Sequence, residues 1–284
     1  MGNIYIFSII AFSLAFGLGC GDISYSPWDS KVEDTSKELN AQNLARLGGY
    51  SSSPFTPFTI ALIADPGGTP GDLRHAVKRI NEINSSEKKI DFVAILGDIT
   101  NYGLLHEYEW VAKELKKLDI PFLTVPGNHD GLSYGRRIYS DMFGATDYTL
   151  DYKDISFVMF NNNAIDFRVD NWVETYERMI LGASRSYIIP MSHIPPSEPD
   201  VLNREVRAHW LDVNRSESLR IVESLHGHRG GTSSKYEIAA EVTYSTIPRT
   251  KGINFSLLEL VDAPFGVSAQ LYDCNKHKCY LVRR

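Results

Sequence analysis

The tetrapeptide Gly127-Asn128-His129-Asp130 closes an apolar run, Ile120-Pro121-Phe122-Leu123-Thr124-Val125-Pro126. Amide, imidazole and carboxylate in succession put a neutral oxygen ligand, a proton carrier and an anion at one point of the backbone. An apolar β-type run that stops in this way reads as a strand end, and open α/β sheets bind their ligands outside the carboxyl ends of the strands. Other strand-like runs end similarly: in Asp65-Pro66-Gly67-Gly68, in Gly97-Asp98, in Ser192-His193-Ile194-Pro195, and in His226-Gly227-His228-Arg229-Gly230. Carboxylate, amide oxygen and imidazole suit a divalent transition metal, Mn, Fe, Zn or Ni. Ligands that converge from separate strands leave coordination positions open for water and substrate.

The elements that must position these groups follow from the apolar pattern. Residues 59–64 form a buried-strand run, and Leu73, Ala76, Val77, Ile80 and Ile83 follow at helical spacing. A second strand is expected over 92–96, a second helix over 104–118 and a third strand over 122–125. This alternation implies right-handed crossovers and a largely parallel sheet. Beyond Asp147 the strands crowd together, with helices expected near 172–180 and 201–213, and strands run to the C-terminus. The expected fold is α/β, two mixed sheets packed face to face with helices outside.

Composition narrows the function classes. With 284 residues the chain can bury one large core. A net charge of −6, with acidic and basic residues spread evenly, offers no footprint for a nucleic-acid backbone. Residues 4–18 are apolar apart from Ser8 and Ser13, and the run ends Gly17-Leu18-Gly19-Cys20. That is short for a membrane span and resembles a bacterial lipoprotein signal, with Cys20 lipidated, although an uncleaved N-terminal anchor fits the same run. An exported protein, held at a membrane in the periplasm or on the cell surface, is the expectation. Residues 1–19 are then the signal, 20–57 a polar tether and 58–284 the domain. Cys274 and Cys279 remain as an even pair around a polar loop, suited to a disulfide in an oxidising compartment; the alternative is two free thiols.

From Phe58 onward the motifs and their order resemble the calcineurin-like metallophosphoesterases, whose signature runs Asp-x-His, Gly-Asp, Gly-Asn-His-Asp/Glu, a lone His and Gly-His-x-His. The resemblance implies a four-layer αββα sandwich and hydrolysis of a phosphomonoester or phosphodiester by metal-activated water. It also implies Asp98 as a metal ligand completed by Asn128, His193 and His228. His129 would face the substrate as hydrogen-bond donor or general acid, with Asp130 orienting it. Two positions depart from the signature. Gly67 and Gly230 stand where it has histidines, and both belong to the metal that Asp65 would also bind. One ion is therefore expected, with Asp65 free to act as a base and Arg229 either supplying positive charge to the phosphate or pointing to solvent. His226, two residues before His228, is the spare histidine best placed to refill the depleted site. The expected partner is a small phosphate ester, with the membrane reached through the N-terminal lipid and no nucleic acid. The rival expectation is a catalytically silent domain of the same fold that serves as a surface binding protein.

Overall fold

A computed structural model describes residues 26–48, 53–198, 203–216, 218–231, 233–238 and 242–283. Strands β1 (Phe58–Ile63), β2 (Phe92–Leu96) and β3 (Phe122–Val125) pair in parallel, joined by helices α2 (Pro70–Ser86) and α3 (Leu105–Leu115). On the other side of β1 the antiparallel strands β10 (Phe255–Ala263), β11 (Gly266–Cys274) and β12 (Cys279–Leu281) complete a six-stranded sheet. The second sheet runs β4-β5-β6-β7-β9-β8, comprising β4 (Tyr148–Tyr152), β5 (Ile155–Met159), β6 (Tyr187–Ser192), β7 (Ser224–His226), β8 (Ser234–Glu237) and β9 (Thr243–Thr246). Its central strands β5, β6, β7 and β9 are parallel.

The strands are apolar on both faces because both faces are covered. Along β1, Ile60 and Leu62 point into the inter-sheet core with Leu123, Phe157, Ile189 and Met191. Ala61 and Ile63, one residue out of step, pack instead on the helices with Leu73, Val77, Ile80 and Tyr108. On the far side, helices α6 (Trp172–Leu181) and α7 (Arg204–Asn214) cover the second sheet around Phe160, Trp172, Tyr176 and Trp210. The result is helix, sheet, sheet, helix, as expected. Parallel register brings the ends of β1, β2 and β3 to one edge: Ile63 lies beside Ile95, and Leu96 beside Val125. Ser192 and His226 end side by side in the second sheet. Cys274 and Cys279 are joined as a disulfide across the β11–β12 hairpin.

The described part of the expected tether is not a tether. Helix α1 (Leu39–Leu47) buries Leu39 and Leu47, and Val32 ahead of it is buried too. Its polar residues do the work that composition obscured. β3 is an edge strand, and its outward N–H groups need partners. Asn40 Oδ1 accepts from Thr124 N–H at 2.9 Å while its Nδ2 donates to Thr124 O at 3.2 Å, and Asn43 Oδ1 accepts from Phe122 N–H at 3.2 Å. Three residues apart on a helix, the two asparagines share one face and meet residues two apart on the strand. Cys20 and residues 49–52 lie outside the described residues.

This arrangement has a measurable consequence. Asn40→Ala leaves the buried Thr124 N–H without its acceptor and is expected to cost about 1–3 kcal/mol. Urea denaturation of the two proteins checks it; an unchanged midpoint would mean that α1 does not close this edge.

Candidate active site and metal centre

The site is assembled where the strands end, and three of its residues hold left-handed backbone that non-glycine residues seldom adopt: Asp65 (φ 48°), Asp98 (φ 49°) and His228 (φ 69°). Such conformations persist only where the surroundings enforce them, and they concentrate at functional sites. Crowding enforces them here. A Cβ on Gly127 would fall 2.2 Å from Asp98 Oδ1, and one on Gly97 would fall 2.5 Å from His193 Nδ1. Glycine at these points lets two loops approach one carboxylate.

Four donor atoms converge in the space so formed. His193 Nε2 lies 3.3 Å from Asp98 Oδ1 and 3.1 Å from His228 Nδ1, which is itself 3.2 Å from Asn128 Oδ1. The Asp98, His193 and His228 ligand atoms all lie within 4.8 Å of one another. His193 is aimed from behind: its Nδ1–H donates to the carbonyl of Leu96 at 2.8 Å, which leaves Nε2 as the lone-pair atom facing the cluster. Two imidazole nitrogens opposed at hydrogen-bond distance, beside a carboxylate and an amide oxygen, are the donor set a divalent cation satisfies. The residues present fit a metal.

Residues 58–229 match the calcineurin-like phosphoesterase family. The chain belongs to that family. A probable glycerophosphodiester phosphodiesterase GpdQ of Arcobacter nitrofigilis is 39% identical over 62 residues, 22% of this chain and 23% of that protein. The glycerophosphodiester phosphodiesterase GpdQ of Enterobacter lignolyticus is 37% identical over 51 residues, 18% of each. The matched stretch thus spans less than a quarter of either relative's length. Among solved structures, a dimetal phosphatase from Danio rerio superposes with a TM-score of 0.60 at 14% identity, covering 79% of this chain and 98% of that one. The yellow lupin purple acid phosphatase PPD1 gives 0.60 at 13% identity, covering 82% and 54%. These two share the fold. This metallophosphoesterase thus has a family in which divalent metal and phosphate-ester hydrolysis go together.

The remaining candidates land in different places. His129 lies beside the cluster, its backbone N–H donating to Asp98 Oδ1 at 3.1 Å. Its ring is oriented by Asn101, whose carbonyl accepts from Nδ1 at 2.8 Å, and not by Asp130. The Asp130 carboxylate is fully buried and accepts from the backbone N–H groups of Gly127 (2.8 Å), Ile99 (3.1 Å) and Thr100 (2.8 Å) and from Thr100 Oγ1 (3.0 Å). Asp130 therefore locks the two motif loops together. Arg229 pairs with Glu198. His226 refills nothing: its two ring nitrogens are engaged by Ser192 Oγ and Ser224 Oγ, both at 3.0 Å, and its ring packs against Trp210 and Tyr244.

At the two signature departures, the structure differs. Gly230 has open space around it, whereas a Cβ on Gly67 would sit 2.7 Å from the backbone carbon of Thr100. The loop after β1 is pressed onto the loop after β2, with Gly67 N–H donating to Asp98 O at 2.9 Å. No side chain reaches the cluster from position 67 without moving backbone. Asp65 stays, 1% exposed, its Oδ1 accepting from His228 N–H at 3.1 Å and its Oδ2 without a hydrogen-bond partner. A cation that no motif announced, Arg249, stands beside that oxygen, with Nε at 3.9 Å. It sits in a plain loop after β9 and reaches the site only because the chain there bridges back to Ala64.

Electrostatics follow from burial. Burial, then the like charge of Asp98, pushes Asp65 up to about 6, against His193 and Arg249. Asp130 is pushed up to about 7 by the same two causes, against its backbone donors. Burial opposes charge on His193 as well, but Asp98 and Asp65 outweigh it and raise the metal-free imidazole to about 9. A bound cation would take the place of that proton. Burial lowers His228, and burial pushes His226 down to about 3.

The last shift sets a pH dependence. His226 stays neutral in the fold while its unfolded counterpart takes up a proton below pH ~6.5, so acidification favours the unfolded chain by up to about 1.4 kcal/mol per pH unit. His193, shifted upward, contributes its slope above that window. His226→Gln, which can still bond both serines, is expected to lose less stability between pH 7 and pH 5 than the wild type. Equal urea midpoint shifts would mean that His226 is not held neutral.

Proposed function

We propose that this chain is a metal-dependent phosphodiesterase with one well-formed metal site, built from Asp98, Asn128, His193 and His228. The observation that supports it is the convergence of those four donor atoms beside a histidine that is held but not consumed by its own hydrogen bond. The diester class is favoured because the curated relatives are described as glycerophosphodiester phosphodiesterases. Held by these four donors, a divalent ion would supply Lewis-acid charge to a phosphoryl group and would acidify a water.

The chain's own residues do the rest. With Nδ1–H donated to the Asn101 carbonyl, His129 presents Nε2 to the substrate side, and its imidazolium can protonate the departing alkoxide as the P–O bond breaks. Asp98 fixes the backbone of His129 while facing His193, so the acid and the metal ligands are set at a constant spacing. Asp65, raised by burial, is suited to accept a proton from the incoming water. Asp166, carried alongside by helix α5 (Ala164–Phe167), lies within electrostatic reach of His129.

The test compares purified full-length protein with an Asn128→Ala variant for metal content and for hydrolysis of bis(p-nitrophenyl) phosphate. One ion per chain with turnover is expected, and both should fall steeply in the variant. A protein that holds its ion yet turns over neither diester nor monoester would favour the silent binding protein instead.

The same proposal places the protein outside the cytoplasm, tethered through lipid on Cys20. The apolar run that ends in Gly19-Cys20 supports this, and the Cys274–Cys279 bond suits an oxidising compartment. Labelled palmitate fed to expressing bacteria is expected in the wild type and absent from Cys20→Ala; label in neither would remove the anchor.

A further inference from the structure

We infer that Arg249 is a phosphate-binding residue, holding the substrate anion from the side of Asp65 where a second cation would otherwise sit. The inference rests on the phosphoesterase reading above and goes beyond it by naming the residue that supplies the missing charge.

Charge alone calls for such a group. One divalent ion offsets Asp98 and leaves a single positive charge, which the buried Asp65 cancels. A phosphodiester anion would then enter a site with no net attraction. Among the described residues, Arg249 is a further cation there. Arg249 Nε stands 3.9 Å from Asp65 Oδ2, a buried oxygen that accepts no hydrogen bond. Asp65 in turn lies 3.7 Å from His193 Nδ1 through its other oxygen, so the guanidinium adjoins the metal ligands.

Arg249 is held for this purpose by its backbone. It forms a parallel bridge with Ala64 at the end of β1, Thr250 N–H donates to Ala64 O at 2.8 Å, and Thr69 Oγ1 donates to Thr250 O at 3.0 Å. The side chain remains 51% exposed, and among the described residues its guanidinium makes no hydrogen bond. Its fork of donors is therefore free beside Asp65, and two parallel N–H groups match two phosphate oxygens. The alternative cation at this place is blocked on one flank, since position 67 cannot carry a ligand past the Thr100 backbone. Arg229, the arginine nearer the motif, is engaged by Glu198.

The experiment uses full-length protein loaded with Mn2+, with metal content measured on every sample and inorganic phosphate titrated by calorimetry. Because Arg249 is half exposed and packs no core, Arg249→Gln and Arg249→Lys are expected to fold and to keep one ion per chain. The Gln variant should bind phosphate about 10- to 100-fold more weakly, the loss expected for a charge-assisted pair of hydrogen bonds. The Lys variant should recover part of that, as a point charge without the fork. Asp65→Asn should still hold one ion. Unchanged phosphate affinity in Arg249→Gln would overturn the assignment. So would two ions in the wild type falling to one in Asp65→Asn, because a metal would then own the place. A wild type that binds neither Mn2+ nor phosphate would sink the phosphoesterase reading itself, and this inference with it.

Discussion

Three carboxylates, Asp65, Asp98 and Asp130, are buried where three parallel strands end, and the rest of the site is organised by how each is compensated. Charge so placed is costly unless it is paired or hydrogen-bonded. Asp130 is answered by backbone N–H groups and becomes a structural clamp between two loops. Asp98 is answered by His193 and by the backbone of His129, which makes it the hinge between the ligand cluster and the candidate acid. Asp65 receives one N–H from His228 and keeps one oxygen unpaired, with Arg249 above it. Three residues of one chemical type thus acquire three roles, and the surroundings alone separate them.

The fold supplies that separation cheaply because parallel register delivers strand ends to one edge. Side chains cannot be brought so close without glycine, and Gly97 and Gly127 let neighbouring loops come nearer than any Cβ would permit. Gly67 has the opposite consequence. It allows the first loop to collapse onto the second, so the departure from the family pattern at that position is a remodelled backbone as well as an absent imidazole. Restoring the histidine alone would not restore the geometry.

Helix α1 shows how a polar sequence can be structural. Asn40 and Asn43 substitute side-chain amides for the strand that β3 lacks, and the buried Leu39 and Leu47 hold them in place. The edge so closed belongs to the strand that runs into Asn128 and His129, so the helix supports the site from a distance.

The sequence alone determined the layered α/β fold and the order of the motif loops, and the family resemblance those loops carry pointed to the four groups that converge, Asp98, Asn128, His193 and His228. The fold and the motif order are local: an apolar period, a glycine at a strand end, a ligand type following it. Tertiary structure decided everything that depends on pairing across the chain. It gave Asp130 to backbone N–H groups and the orientation of His129 to Asn101, and it sent His226 into the core between two serines. It turned part of an apparent tether into an edge-closing helix, and it exchanged Arg229 for Arg249 beside Asp65. No spacing rule links residue 65 to residue 249. They meet because β9 carries the chain back to the end of β1, and that contact is a product of packing two sheets, which periodicity along the chain does not encode.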